Sequence, residues 1–398
     1  MRVSHEWLRA FVPHSLSPRE VERLFSTHVA TVDAVEALRA DLAPIVVGRV
    51  LAAEPHPDSD HLWVTKVDDG TGVPLDVVCG APNVTVGALY PFARSGTTMP
   101  DGTRLERRKI RGAVSNGMLC SARELGLGED HKGILALTID AAPGTPFLSV
   151  VPVGDVRYEI DVLPNRPDLL SHIGLARELS ALTGIEMQTP SELASIAPLP
   201  PATTAPAAGT VAGVTVRIED GEACARYAAV VVRGLTIGPS PDWLRDRLQS
   251  IGLRSISNVV DITNYFLHGF GQPMHAFDLA KLAGPAIVVR RARVGERITT
   301  LDGVERALTA EMLVIADGER AAAVAGVIGG RDSEVTATTT DILLEVASFE
   351  PRQVRRTRRA LGVNTDASHR FERGTNPAAP AHTRTYVVFS QRRGTRWP

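Results

Sequence analysis

The chain has only three cysteines, Cys79, Cys120 and Cys224, far apart and without a CxxC pair. An odd, scattered set excludes a disulfide framework and a zinc module of the usual spacing, and it fits a reducing cytoplasm. Net charge is also nearly absent: 43 Lys and Arg stand against 45 Asp and Glu, a balance of -2. Bulk charge therefore neither demands nor excludes nucleic acid, and any polyanion site has to be a local basic patch. No window approaches the roughly 20 apolar residues of a membrane span. The opening MRVSHEWLRAFV is interrupted by Ser4, His5, Glu6 and Arg9, unlike a signal peptide. There is no GxxxxGKS/T and no GxGxxG after a strand, and GAVSNG at 112–117 has one residue too many for a GxSxG elbow. Ordinary nucleotide hydrolysis and serine-esterase chemistry thus lose their usual signatures.

What is present is 398 residues at 44% hydrophobic content, enough for two or three domains with real cores. Ser17-Pro18-Arg19-Glu20 reads as a capped helix start in a small α/β cap, with a β segment around 29–35 after it. From Ile45, short β-rich runs (IVVGRVLAAEP, LWVTKVDDG, LDVVCGAPN, ALYPFARSG) broken by Pro, Gly, Asn and Asp predict a small barrel or sandwich. SARELGLG reads as a helix-like insertion. Arg104, Arg107, Arg108, Lys109 and Arg111 cluster in its approach, either as a solvated loop or along a phosphate backbone. HPDSDH, with His56 and His61, has no third ligand nearby and reads as a turn in which Asp58 and Asp60 cap backbone amides. Leu169, Ile173, Ala176, Leu179 and Leu182 predict a helix begun by Pro167 and Asp168 and ended by Gly184, with Asn165, Arg166 and Asp168 in a polar turn. Residues 189–213, rich in Pro, Ala and Thr, read as a semi-stiff linker.

Beyond Val214, strand-like runs alternate with few helices, predicting an α+β domain with a mixed or antiparallel sheet. The stretch Ser257–Asp278, SNVVDITNYFLHGFGQPMHAFD, packs Asn258, Asp261, Thr263, Asn264, His268, Gln272, His275 and Asp278 among apolar neighbours. It follows neither helix nor strand period for long, so it is either a binding site or a turn-rich scaffold whose amides satisfy backbone groups. Downstream, Glu345 sits in ILLEVASF, where it has to be paired, hydrogen-bonded or raised in pKa. A salt bridge to a nearby Arg and a polar reader at the bottom of an apolar pocket are the two readings. PRQVRRTRRALG predicts a helix with Arg352, Arg355, Arg356 and Arg359 on one face, where like charges repel unless something anionic lies opposite.

The motifs HPDSDHL, VVCGAPN, KIRGAVSNGMLCSARELGLG, DVLPNRPD, SNVVDITNY, GQPMHAFD, RITTLDG, AGVIGG, LLEVASF and TDASHRFERG, spread from residue 1 to about 380, resemble the N-terminal half of the bacterial phenylalanyl-tRNA synthetase β subunit. The resemblance implies a multidomain α+β chain: an α/β cap at 1–38, an OB-fold tRNA-binding β-barrel at 39–150, a helical connector packing with the cap and editing region at 151–188, the linker at 189–213, and a mixed-sheet α+β editing domain at 214–385. It implies that Thr263, Asn264, His275, Gly326, Glu345, Thr365 and Ala367 hydrolyse tyrosine mischarged onto the phenylalanine tRNA. Glu345 would accept the tyrosine hydroxyl proton, and Thr263, Asn264 and His275 would hold the terminal adenosine, the ester and a water. Arg107, Arg108, Lys109 and Arg111, with Arg352, Arg355, Arg356 and Arg359, are the residues assigned to tRNA binding. It further implies tRNA(Phe) and an α subunit as partners, no membrane, a cytoplasmic location, no cofactor in this chain, and ATP and magnesium for the complete synthetase. Residues 386–398 depart from the family pattern, so a truncated product is expected, and the alternative function is a non-catalytic RNA- or partner-binding fragment.

Overall fold

The computed structural model describes residues 1–128, 130–151, 153–194 and 208–377. Two compact units share the chain, one made of Met1–Glu36 with the residues from Val156 onward, the other of Ala37–Asp155. The tail at 386–398 lies outside the described residues.

The first unit opens with β1 (Arg2–Ser4) and α1 (His5–Phe11), whose N-cap Ser4 accepts the Trp7 N–H at 2.9 Å. Then α2 (Pro18–His28) begins at the predicted place, with Ser17 and Glu20 forming a capping box and Pro18 in the first turn. Losing such a cap costs about 1 kcal/mol. Strand β2 (Val32–Leu38) starts three residues later than the predicted segment.

The second unit contains β3 (Val46–Pro55), β4 (Trp63–Asp68), β5 (Leu75–Cys79), β6 (Leu89–Arg94), β7 (Arg108–Ile110), β8 (Ala113–Ser115), β9 (Gly117–Leu119) and α3 (Phe147–Val150). Five strands form an antiparallel sheet in the order β5-β4-β3-β6-β9. It closes nearly into a barrel. The seam is held by the Asn116 N–H on the Asp76 carbonyl at 2.8 Å and the Val78 N–H on Ser115 Oγ at 3.1 Å. A register shift between Val50 and Ala52 marks a bulge in long β3, which increases twist and helps the sheet curl. Gly117 makes closure possible, because a Cβ there would stand 2.5 Å from both the Ala93 carbonyl oxygen and Phe92 Cζ. Val50, Val67, Val77 and Phe92 fill the interior.

Two local expectations fail in this unit. SARELGLG makes turns rather than a helix: Glu124 folds back to accept from Ser121 N–H at 2.6 Å and Oγ at 2.8 Å, but Gly126 at φ +61 ends the turn. In HPDSDH the capping group is His56, not an aspartate; its Nδ1 accepts the Asp58 N–H at 3.0 Å while Nε2 meets the Ile110 carbonyl at 3.2 Å.

The chain returns to the first unit through β10 (Asp155–Ile160), antiparallel to β1, and α4 (His172–Thr183). Pro167 and Asp168 do not start that helix. They form a separate 3-10 turn at Pro167–Leu169, and Ser171 caps α4, with Gly184 closing it in the left-handed region. Arg166 pairs with Asp168 and Glu178 at 2.7 and 2.6 Å, which makes the polar turn a structural clamp. Within the predicted linker, α5 (Ser191–Ala194) and β11 (Ala208–Val211) are regular; residues 195–207 lie outside the described residues.

There follow β12 (Val214–Ile218), β13 (Cys224–Val232), α6 (Asp242–Ser250), α7 (Asn258–Phe270), β14 (Met274–Asp278), β15 (Ala286–Arg291), β16 (Arg297–Thr299), β17 (Glu305–Ala307), β18 (Leu313–Ala316), β19 (Ala321–Val324), β20 (Ile328–Gly329), β21 (Ile342–Phe349), α8 (Pro351–Leu361) and α9 (Asp366–Phe371). One sheet has the order β11-β12-β15-β18-β19-β20; β12 and β15 run parallel, and the other neighbours are antiparallel. A second, antiparallel, has the order β13-β21-β14. The result is the mixed α+β architecture predicted. Strand β21 is buried along its whole length, and its alternate side chains enter different cores. Leu343, Ala347 and Phe349 pack with Phe277 and the six-stranded sheet, whereas Leu344 packs with Ile262, Tyr265 and Phe266 of α7. Each fully buried Leu or Phe contributes roughly 1.5–3 kcal/mol, so this two-sided strand anchors the domain.

Candidate functional site

The polar stretch Ser257–Asp278 resolves into helix, turn and strand. Ser257 caps α7, Gly271 ends it in the left-handed region, and β14 follows. Most of its polar side chains hold turns. Asp261, fully buried, accepts from Ser240 Oγ, Ser255 Oγ and the Ile256 N–H. Asn258 donates to the Thr236 carbonyl, and Asp278 accepts from the Ala280 N–H and Thr339 Oγ1. Gln272 Nε2 donates to the Pro273 and Ala347 carbonyls.

Glu345 stands at the middle of the three-stranded sheet. Its register partners are Ala229 on β13 and His275 on β14, so the three side chains share one face. The carboxyl is buried and meets no arginine among the described residues; its partner there is Tyr227, whose Oη donates to Oε2 at 3.3 Å. Burial pushes the Glu345 pKa up from 4.5 to about 8, with the Tyr227 bond pulling the other way. Tyr227 itself is raised well above its ordinary value by burial and by the neighbouring carboxyl. His275 packs edge-on against Phe277 at 4.5 Å, its Nε2 is buried without a partner among the described residues, and burial lowers its pKa to about 4.

The turn after β19 closes against this face. A Cβ on Gly329 would lie 2.4 Å from His275 Cε1, so only glycine admits the imidazole there. Gly326 adopts φ +68 and would place a Cβ 3.0 Å from Phe349 Cδ2. Ala325 and Val327 donate their N–H groups to the Leu313 and Val324 carbonyls; the Gly326 N–H has no protein acceptor among the described residues. Thr365, the N-cap of α9, donates its hydroxyl to the Val327 carbonyl at 2.8 Å. Ala367 packs against the same core as Phe349 and Phe371.

Thr263 and Asn264 are not brought to Glu345 by any contact. They lie on α7, which packs on the opposite face of the three-stranded sheet, and Thr263 Oγ1 bonds back to the Val260 carbonyl at 2.7 Å. Asn264 is linked to the site differently: it precedes His268 by one turn on the same face, and His268 Nε2 lies 4.0 Å from the Asp366 carboxylate. Arg370, buried, ties this corner together by donating to the Leu170 and Asp366 carbonyls, with His268 Nδ1 3.3 Å from its Nη2. Burial and Arg370 lower His268 to about 3.

Sequence reasoning missed Tyr227 and Arg370. A tyrosine hydroxyl in the apolar run YAAVVV needs a partner, but its identity depends on the β13–β21 register. Arg370 in ASHRFERG gives no such signal.

The basic residues divide into two surfaces. Arg107, Arg108, Lys109 and Arg111 are exposed on and before the β7–β8 hairpin, Arg111 donating to the Asp58 carbonyl at 2.8 Å. Arg352, Arg355, Arg356 and Arg359 form an exposed face of α8, while Arg358 pairs with Glu372. None of those four makes an ion pair among the described residues.

Residues 45–146 match the family model described as "Putative tRNA binding domain", and residues 223–389 match the B3/4 domain. The relatives of this chain are aminoacyl-tRNA synthetase subunits. It is 50% identical over 377 residues to the phenylalanine–tRNA ligase β subunit of Anaeromyxobacter dehalogenans, and 45% identical over 378 residues to that of Syntrophotalea carbinolica, covering 95% of this chain in both cases. The chain belongs to the phenylalanine–tRNA ligase β-subunit family. It spans 46% of the length of these two relatives. A solved N-terminal fragment of the Pyrococcus horikoshii phenylalanyl-tRNA synthetase β subunit overlaps 48% of this chain and 56% of its own at 18% identity and a TM-score of 0.27, a slight likeness.

Proposed function

We propose that this chain binds tRNA(Phe) and hydrolyses tyrosine mischarged onto it, as the editing portion of a phenylalanine–tRNA ligase β subunit. The observation that carries this reading is Glu345: a buried carboxyl, on an apolar sheet face, with one long hydrogen bond among the described residues. Tyrosine and phenylalanine differ by one hydroxyl. A pocket that bonds that hydroxyl favours tyrosine, because phenylalanine leaves the buried carboxyl under-partnered.

The ester is already activated, so positioning can replace a protein nucleophile. Water adds to the ester carbonyl, the bond to the ribose oxygen breaks, and tyrosine and the free tRNA hydroxyl leave. The Gly326 N–H is the candidate donor for the developing oxyanion. With a pKa of about 4, His275 is a weak base at neutral pH, so its unpartnered Nε2 is read as a holder of adenosine or water. Thr365 and Ala367 are read as the wall beside the Gly326 turn, and Thr263 and Asn264, on the other side of the sheet, are not assigned a part in the pocket. The barrel unit is read as an OB-fold that, with the β7–β8 and α8 basic surfaces, follows the tRNA backbone.

Aminoacylation, the α subunit and a cytoplasmic setting belong to this reading through the family. ATP and magnesium would serve the complete ligase. Among the described residues no group of three His, Cys, Asp or Glu side chains could hold a metal ion.

The test is deacylation of tyrosyl-tRNA(Phe) and phenylalanyl-tRNA(Phe) by the purified chain. Catalysed loss of the tyrosyl ester, with the phenylalanyl ester largely spared, is expected. Loss of both at the buffer rate would leave a binding module without chemistry.

A further inference from the structure

Tyr227 lies outside the motifs that carry the family resemblance, yet among the described residues its hydroxyl is the one group bonded to the Glu345 carboxyl. Tyr227 pairs in register with Ala347 and Ala229 pairs with Glu345, so the tyrosine is the diagonal neighbour of the carboxyl on the same face. Its Oη donates to Oε2 at 3.3 Å, and no other hydrogen bond reaches the carboxyl among the described residues. His275 stands on the other flank, across β14. The carboxyl is therefore held from the β13 side, with Oε1 left without a partner among the described residues.

We infer that Tyr227 is a positioning residue that sets hydroxyl specificity: by anchoring Oε2 it presents Glu345 Oε1 to the phenol of the bound aminoacyl group. This rests on the editing reading above. A carboxyl without that anchor can rotate about its terminal torsion, which is broad and soft, and the ligand hydroxyl then has to fix it on binding. Tyr227 itself carries a para-hydroxyl on an aromatic ring, so Glu345 already bonds the chemical group it is proposed to read. Because Tyr227 donates to the carboxyl, it also favours the ionised form, and its removal strengthens the hold on the proton.

The experiment uses Tyr227→Phe in the whole chain, with steady-state deacylation of both esters between pH 6 and 9.5. Expected is a loss of about three- to tenfold in kcat/KM for the tyrosyl ester, the scale of one neutral hydrogen bond, carried by KM. The phenylalanyl ester changes less than about twofold on the same reasoning, and the pH midpoint of tyrosine discrimination moves upward. An unchanged tyrosyl KM and midpoint, or equal loss on both esters, overturns the assignment. A cycle with Glu345→Gln supplies the second reading: the two changes have to be non-additive, and additivity overturns it. A wild-type chain no faster than buffer removes the editing reading and this one together. An active, tyrosine-selective chain indifferent to Tyr227→Phe removes this one alone.

Discussion

Glu345 and His275 face each other across the β14–β21 ladder as register partners, the carboxyl and the imidazole Nε2 both buried, and burial drives their pKa values toward one another's usual range. Both groups are consequently neutral near pH 7, the carboxyl protonated and the imidazole not. A neutral pair needs no counter-ion, which is how two ionisable side chains persist on an apolar face. The same arrangement makes the domain sensitive to pH from both sides.

On the alkaline side the group is Glu345. Its folded pKa of about 8 lies above the ordinary 4.5, so the folded chain keeps a proton that the unfolded chain releases. Stability from this group is fully present below 4.5, falls as pH rises toward about 8, and is level beyond. Urea unfolding from pH 5.5 to 9 should show wild type losing up to about 1.4 kcal/mol per pH unit relative to Glu345→Gln. Parallel curves would mean the carboxyl is ionised in the fold.

On the acid side the groups are histidines packed into the fold. Burial lowers His5 and His275 to about 4 and His172 and His268 to about 3, from 6.5. Each is neutral in the fold and takes a proton more readily when unfolded, so stability drops as pH falls below 6.5. The limiting loss is about 1.4 kcal/mol per pH unit for each histidine. His275→Asn should make the decline between pH 6.5 and 4.5 shallower by about one such contribution, read from the same urea curves. An identical slope would show that His275 is solvated in the folded chain.

How much of this could be read in advance follows burial. The Ser17–Glu20 capping box and the barrel strands declare themselves because caps and alternation are local signals. Helix α7 does not: none of its residues is exposed, and buried Asp261 and His268 stand among its apolar side chains, so no wet face marks it in the sequence. SARELGLG carries good helix formers and fails because Gly126 and Gly128 interrupt it after one turn. Glu345 was legible as a buried carboxyl, but its partner was not: a salt bridge and a ligand reader both fit the sequence, and only strand register selects Tyr227. The separation of Thr263 and Asn264 from Glu345 by the sheet is a tertiary fact that spacing along the chain cannot express.

Gly329 makes a sharp test of the imidazole's place. Its φ is not in the left-handed region, so alanine meets no left-handed backbone penalty; its Cβ would instead stand 2.4 Å from the His275 ring and 3.0 Å from Leu301 Cδ1. Overpacking of this kind costs about 1–3 kcal/mol. Gly329→Ala should therefore remain folded by circular dichroism while tyrosyl-tRNA deacylation falls more than about tenfold, the scale of a misplaced catalytic geometry. A folded variant with wild-type rates would place the reaction away from His275.

The arginine face of α8 gives a prediction in which stability and binding move in opposite directions. Arg352, Arg355, Arg356 and Arg359 lie three and four residues apart, exposed, with no ion pair among the described residues. Neighbouring like charges on a helix cost about 0.2–0.5 kcal/mol per pair, so replacing all four with glutamine should raise the thermal midpoint slightly. If the face follows tRNA phosphates, the same variant should bind tRNA more weakly. The slope of log affinity against log salt should become less negative by about 0.7–0.9 for each phosphate that an arginine no longer neutralises. The weakening should be similar for different tRNA sequences, because phosphates carry no sequence information. The matching change of Arg107, Arg108, Lys109 and Arg111 on the β7–β8 hairpin should reduce the slope independently, since the two clusters share no side-chain partner among the described residues. Weaker binding with an unchanged slope would point to altered shape rather than missing charge, and unchanged binding would leave the α8 face as a solvated surface whose charges only repel.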